Sequence, residues 1–311
     1  MKQSVSKGTL YLMFSELIAL LSSYGLQVGV AYFLGPESYG IFGLITSLYL
    51  INRAFLNTGI PRATSKFVAE SKDKIEPIFA VSLKVQIWVA FAFMLFYVLF
   101  AKVIAYILKD ASLTPYIIYL GIIVVPLALL SLYSTGFLNG RHMFREQGRV
   151  KLLYPFLQFA FTIILIFFGF KIYGILTGYF LATIVAFYFA WKYVGKIGIT
   201  GHDSTFTVKQ LLRFAIPISI SALCFTLLRN VNTLFIKSML IDNKVVGLFT
   251  AAATLSSLPF SVFGALPVTL LPTISRAMGE GNLEKARRYI STAMRYSLLI
   301  LLPLSAMVAG L

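Results

Sequence analysis

Apolar runs long enough to cross a bilayer recur along nearly the whole chain, separated by short stretches in which lysine, arginine, glycine and proline collect. A membrane-spanning helix needs ~20 mostly apolar residues. The pattern predicts spans over residues 8–34, 40–60, 85–101 (starting a turn or two earlier, near 78), 111–140, 152–170, 172–191, 214–238 and 245–275. A ninth run, 296–311, begins just before the sequence stops. The first run follows Lys2 and Lys7, yet it is too long for a signal peptide and no small-residue cleavage pattern closes it, so a retained span is expected.

Composition agrees with this pattern. Of the 311 residues 59% are hydrophobic and 12% charged, with a mean hydropathy of +0.85, whereas soluble domains carry roughly 25% charge. The net charge of +16 would suggest nucleic acid in a soluble protein. Its distribution gives another answer. With the N-terminus in the cytoplasm and spans alternating, 20 of the 27 Lys and Arg fall on the inner side, among them Arg62, Lys66, Arg141, Arg145, Lys192, Arg213, Arg287 and Arg295. Only Lys102, Lys109, Lys171, Lys237 and Lys244 fall outside. That asymmetry predicts a multi-pass cell (plasma) membrane protein with a cytoplasmic N-terminus, in contact with membrane lipids and not with nucleic acid. Residues 62–77 mix charge with Phe67, Val68 and Ile75, a composition suited to an amphipathic interfacial helix.

Two stretches resemble one another. Leu34-Gly-Pro-Glu-Ser-Tyr-Gly-Ile-Phe42 and Leu240-Ile-Asp-Asn-Lys-Val-Val-Gly-Leu-Phe249 each place a short acidic turn before Gly and an aliphatic-Phe pair. Downstream, Pro61 and Thr64-Ser-Lys-Phe-Val-Ala-Glu70 match Pro272 and Thr273-Ile-Ser-Arg-Ala-Met-Gly-Glu280, at a shift of about 207 to 210 residues. Six spans separate the copies, so both run in the same direction across the membrane. The expected fold is all-α and polytopic, with two lobes of parallel six-helix repeats about a pseudo-two-fold axis and a cavity near the midplane. Residues 1–194 form the first lobe, 195–211 a cytoplasmic linker, and 212–311 the start of a second lobe that holds only helices seven to nine of a design with about 12 or more.

Ionisable groups inside spans are costly and mark cavities or partners. Glu16 and Arg53 both lie about 12 Å from the inner face by helix rise, which permits an ion pair; a purely structural pair or snorkelling of Arg53 is the alternative. Arg229, deeper in its span, has Asn230 and Asn232 beside it. This set suits a pyrophosphate or acidic sugar, or else a structural hydrogen-bonded group. Asn52, Asn57 and Gln27 are candidates for the same cavity. Pro126, Pro217, Pro259 and Pro267 lie within spans, as kinks or as tolerated prolines. Cys224 excludes an internal disulfide and reads as a small core residue. His142 and His202 read as solvated loop residues. No G-x-x-x-x-G-K-[ST] loop or H-E-x-x-H pattern is present, so neither ATP hydrolysis by that route nor a metal or other cofactor is expected.

The Leu34–Phe42 stretch, the Gly59-Ile-Pro-Arg-Ala-Thr64 segment and the basic loop Asn139-Gly-Arg-His-Met-Phe-Arg145 together resemble the polysaccharide transport branch of the multidrug/oligosaccharidyl-lipid/polysaccharide exporter superfamily. The resemblance runs from the first span to the start of the ninth. It implies a non-enzymatic flippase that moves a polyprenyl-linked glycan, or another anionic amphiphile, from the inner to the outer leaflet by alternating access. It also implies a monomer, or a chain completed by a separate C-terminal segment. The position of Arg53 relative to Gly59 is similar to that of a second-helix arginine in the superfamily's lipid II flippases, whose first-helix arginine is replaced here by Ser22. Two alternatives remain open at this point. A cation-coupled multidrug exporter of the same fold would use Glu16, and a membrane-embedded glycan polymerase or acyltransferase would need more carboxylates and histidines than the short outer loops supply.

Overall fold

The computed structural model describes residues 5–70, 75–195, 206–240, 242–257, 274, 278 and 282–309, with side chains from Ile18 onward except at 285, 300, 304, 308 and 309. The chain forms two units, Met1–Leu248 and Phe249–Leu311. Among the described residues seven helices are long and apolar enough to cross a membrane. The longest, α1 (Val5–Glu70), counts as two crossings because it breaks at Gly35.

At Gly35 the backbone takes φ 72 and ψ 174, a conformation only glycine reaches without strain. Pro36 follows and removes the next amide donor. The chain doubles back there. The Tyr39 hydroxyl donates to Gln27 Oε1 at 2.9 Å, two positions that a straight helix would hold roughly 18 Å apart. The outer turn between the first two predicted spans is therefore a single glycine hinge.

Next come α2 (Ile75–Ile107), a 3-10 turn (Ala111–Leu113) and α3 (Thr114–Ser131), whose end widens into a π-helical turn at Leu132–Leu138. Helices α4 (Phe144–Phe167) and α5 (Lys171–Val194) complete a bundle around the second arm of α1. Apolar packing fills it, with Phe42, Leu44, Leu56, Ile123 and Leu127 almost fully enclosed. A polar ladder threads the same seam. Gln86 Nε2 donates to the carbonyls of Leu56 and Ala128 at 3.2 and 3.0 Å, Ser131 Oγ donates to Leu56 O at 3.1 Å, and Thr64 Oγ1 donates to Ser82 Oγ at 2.9 Å. Removed from water, such bonds fix which helix faces meet.

Helix α6 (Val208–Met239) opens with a capping box in which Thr207 and Gln210 satisfy each other's backbone amides at 3.3 and 3.0 Å. Helix α7 (Asn243–Ser256) begins the eighth predicted span. In the second unit α8 (Leu283–Ala309) starts 13 residues before the ninth apolar run, with Arg287, Arg288 and Arg295 exposed on its polar half. Pro259, Pro267, His202, Asp203 and most of the second repeat copy lie outside the described residues.

Two expectations need correction. Residues 62–70 are not a separate helix lying on the membrane surface, because Pro61 does not stop α1, which continues to Glu70 with Val68 buried. Cys224 is exposed on α6 and does not sit in a core.

Candidate functional site

The second arm of α1 lies along the antiparallel α6 and meets the start of α7, with close contacts near both ends, the inner end being the one expected to face the cytoplasm. At the inner end Gly59 lets the two helices touch: a Cβ there would overlap Ser219 Oγ and crowd the Ala215 carbonyl. Just below, Phe67 meets Phe206 and Phe214 with ring centroids 5.0 and 6.1 Å apart. The Lys66 ammonium lies 4.3 Å from the Phe214 ring centre, a cation–π contact.

At the outer end the approach is closer still, and it is reciprocal. A Cβ on Gly40 would overlap the Asn243 carbonyl oxygen, and one on Gly247 would overlap the Pro36 carbonyl oxygen. Pro36 and Asn243 differ by the same 207 positions as Gly40 and Gly247. Each repeat therefore offers the other the same pair of groups, as a two-fold axis requires. Small residues permit such backbone contact between membrane helices.

Between these ends α6 loses contact. Its buried residues are Leu211, Ala215, Ser219, Thr233 and Lys237, and none from 220 to 232 is buried. That unpacked stretch contains Thr226, Arg229, Asn230 and Asn232. Arg229 and Asn232 are exposed, and the half-buried Asn230 donates from Nδ2 to Thr226 O at 2.9 Å. On the α1 side Arg53 is exposed and Asn57 is half-buried, with its Oδ1 enclosed. Measured from the Gly59–Ser219 contact, helix rise sets Arg229 roughly 6–9 Å farther outward than Arg53.

Arg53 also has company that the sequence pattern did not disclose. Tyr154 and Tyr179 lie within electrostatic reach of its guanidinium. The Tyr154 hydroxyl bonds to the Tyr49 hydroxyl, accepts from Gln158 Nε2 at 3.0 Å and lies 3.5 Å from Thr183 Oγ1. Tyrosines and a threonine in apolar runs look like ordinary packing residues, and only the meeting of α1, α4 and α5 makes them a cluster. Of the other candidates, Asn52 is fully buried where α1 faces Tyr97 of α2, and Gln27 is held by Tyr39. The Glu16 side chain lies outside the described residues, so its pairing with Arg53 is not described.

The basic inner loop is structural. Asn139 Nδ2 donates to Ser65 Oγ at 3.0 Å, and Arg141 Nη1 donates to the Val194 carbonyl at 3.0 Å, capping the end of α5.

The described residues form a polytopic, all-α fold with a repeat-related helix contact. The solved structures the chain matches share that fold. They are a MOP superfamily transporter from Pyrococcus furiosus (16% identical, 96% of this chain and 70% of that one, TM-score 0.54), the MATE transporter ClbM in complex with Rb+ (16%, 96% and 68%, 0.52) and an outward-facing multidrug resistance MATE family transporter (18%, 97% and 71%, 0.54). The chain belongs to the polysaccharide biosynthesis protein family, whose pattern matches residues 5–278. Relatives include stage V sporulation protein B of Bacillus subtilis, 23% identical over 96% of this chain, and an uncharacterized membrane protein of Methanocaldococcus jannaschii, 26% identical over 88%. The chain spans 63% and 68% of the lengths of those two relatives.

Proposed function

We propose that this protein flips a polyprenyl-linked oligosaccharide, or a polysaccharide precursor of that kind, from the cytoplasmic to the outer leaflet of the plasma membrane by alternating access. It does so as a transporter, not an enzyme. The observation that carries the reading is the seam of α1 with α6 and α7, in close contact at Gly59–Ser219 and at Gly40–Gly247, with the exposed Arg53 and Arg229 on the stretches between. A guanidinium makes charge-assisted, bidentate bonds to pyrophosphate or an acidic sugar. Family membership supports a glycan as cargo. The two lobes are residues 1–194 and 212–311, joined by 195–211, and the reciprocal Gly40–Gly247 contact supports the axis that relates them. Rocking about that contact alternates access while the polar mid-section keeps the charged head of the substrate out of lipid.

The MATE likeness favours a second reading, cation-coupled export of drugs. Two in-span arginines argue for an anionic substrate instead. One experiment separates them. Arg229→Ala should cut glycan export at least ten-fold in cells with protein level unchanged, and Arg229→Lys should retain part of it. Normal glycan export combined with lost drug resistance in Arg229→Ala would favour the second reading.

A further inference from the structure

The outer end of the seam differs from the inner end in carrying buried charge. Asp110 stands between α2 and the 3-10 turn, and its Oδ1 accepts from Ser112 N at 3.1 Å and Ser112 Oγ at 2.6 Å. Its Oδ2 accepts from Asn243 Nδ2 at 3.1 Å and lies 3.2 Å from Lys237 Nζ. The Lys237 side chain is 1% exposed and that of Asp110 14%. Lys109 and Lys244, neighbours of the cluster in sequence, are exposed. Three separate segments thus meet here: the α2–α3 turn, the last turn of α6 and the first residue of α7.

A buried ion pair adds little net stability, because desolvation offsets the Coulomb attraction. It does penalise any arrangement that keeps one partner buried and removes the other, and the penalty disappears once water reaches both. Those properties suit a contact with two states. Any outward opening of the seam draws α6 away from the second arm of α1 and separates Lys237 from Asp110.

We propose that Asp110, Lys237 and Asn243 form an outer latch, closed in this structure, that must break for the α1–α6 seam to open to the outer face. The alternating-access reading supplies the motion, but the latch is testable without a transport measurement. Burial alone would raise the Asp110 carboxyl. Bonds from Ser112, Asn243 and Lys237, with the Lys237 charge, outweigh burial and hold it below the usual aspartate range, so the carboxylate stays ionised at neutral pH. The other charged or titratable groups around it are Lys109, Tyr116, Asp242 and Lys244.

The first test uses a water-soluble amine-reactive ester, with each lysine resolved by mass spectrometry. Lys237 should react at least ten-fold more slowly than Lys109 and Lys244. Asp110→Asn should raise the Lys237 rate at least ten-fold while leaving those two unchanged. Lys237 reacting as fast as Lys244 in the unaltered protein overturns the proposal. The second test joins Asp110→Cys to Lys237→Cys with a reducible thiol cross-linker in a Cys224→Ser background. Labelling of Asn230→Cys by an impermeant maleimide from outside should drop at least ten-fold and recover on reduction. Unchanged labelling after verified cross-linking refutes the latch, whatever substrate the protein carries.

Discussion

Asp110 offers the sharpest measurement at the scale of single residues. Its native carboxyl is held below its ordinary value of about 3.9, so the native state binds fewer protons than the unfolded chain in that range. The stability it contributes is complete above about pH 3.9 and is lost as pH falls through the native value. The unaltered protein should therefore melt above Asp110→Asn at neutral pH, and the gap should narrow below about pH 4. A gap that stays constant down to pH 3 would mean the carboxylate charge is not what matters. Between the partners, Asp110→Asn should cost more than Lys237→Met, because it removes the counter-charge from an ammonium that is 1% exposed while the reverse change leaves a carboxylate with some access to water. Tyr154 makes a different point. Tyr154→Phe removes the hydroxyl shared by Tyr49, Gln158 and Thr183 and leaves the buried Gln158 amide with the longer 3.5 Å bond to the Tyr49 hydroxyl. A loss of about 1–3 kcal/mol is expected, readable as a lower melting temperature in detergent.

Elements explain both what the sequence discloses and what it hides. Apolar runs located the membrane helices because a bilayer imposes a minimum length on any crossing. Their ends were less legible. Helices α4, α6 and α8 each open, just after Phe144, Val208 and Leu283, on first turns rich in polar and basic residues, since hydropathy marks the lipid-bathed part of a helix and not its extension into water. The same reason hid the continuation of α1 through 62–70. Arg53 and Arg229 were visible because charge stands out in an apolar run, whereas Tyr49, Tyr154 and Tyr179 do not stand out there. The Asp110–Lys237 pair was hidden too: each residue read as an outer-side charge, and only the packing of the α2–α3 turn against α6 unites them. The repeat was legible, and its physical meaning is the crossing at Gly40 and Gly247. A methyl group on either residue would meet a backbone carbonyl, while one on Gly25 would meet only the edge of the Phe159 ring at 3.3 Å. Gly40→Ala and Gly247→Ala should each lower the melting temperature by several degrees and to similar extents, with Gly25→Ala close to neutral. Unequal losses at the two outer glycines would argue against a symmetric contact.

For the whole molecule, the direction of the proposed transport depends on which end of the seam faces the cytosol. The Phe67–Phe206–Phe214 clasp lies among basic residues such as Arg62, Lys66 and Arg213, while the Asp110–Lys237 latch lies at the end with few of them. Positive charge is retained on the cytoplasmic side during insertion, so the clasp should be the inner gate and the latch the outer one. Fusions of a topology reporter after Lys109 and after Arg149 check this directly. They should report opposite compartments, with Lys109 outside and Arg149 inside. The hinge at Gly35 raises the stakes of that experiment, because α1 contributes two crossings only if the chain turns back there. A straight passage through Gly35 would reverse the side assigned to every later loop. If both fusions appeared in the same compartment, α3 with its π-helical turn would not cross the membrane, and the latch could not guard an exit. If the two compartments were exchanged, the closed charged end would face the cytosol, and the same seam would have to admit its substrate through the Asp110–Lys237 pair.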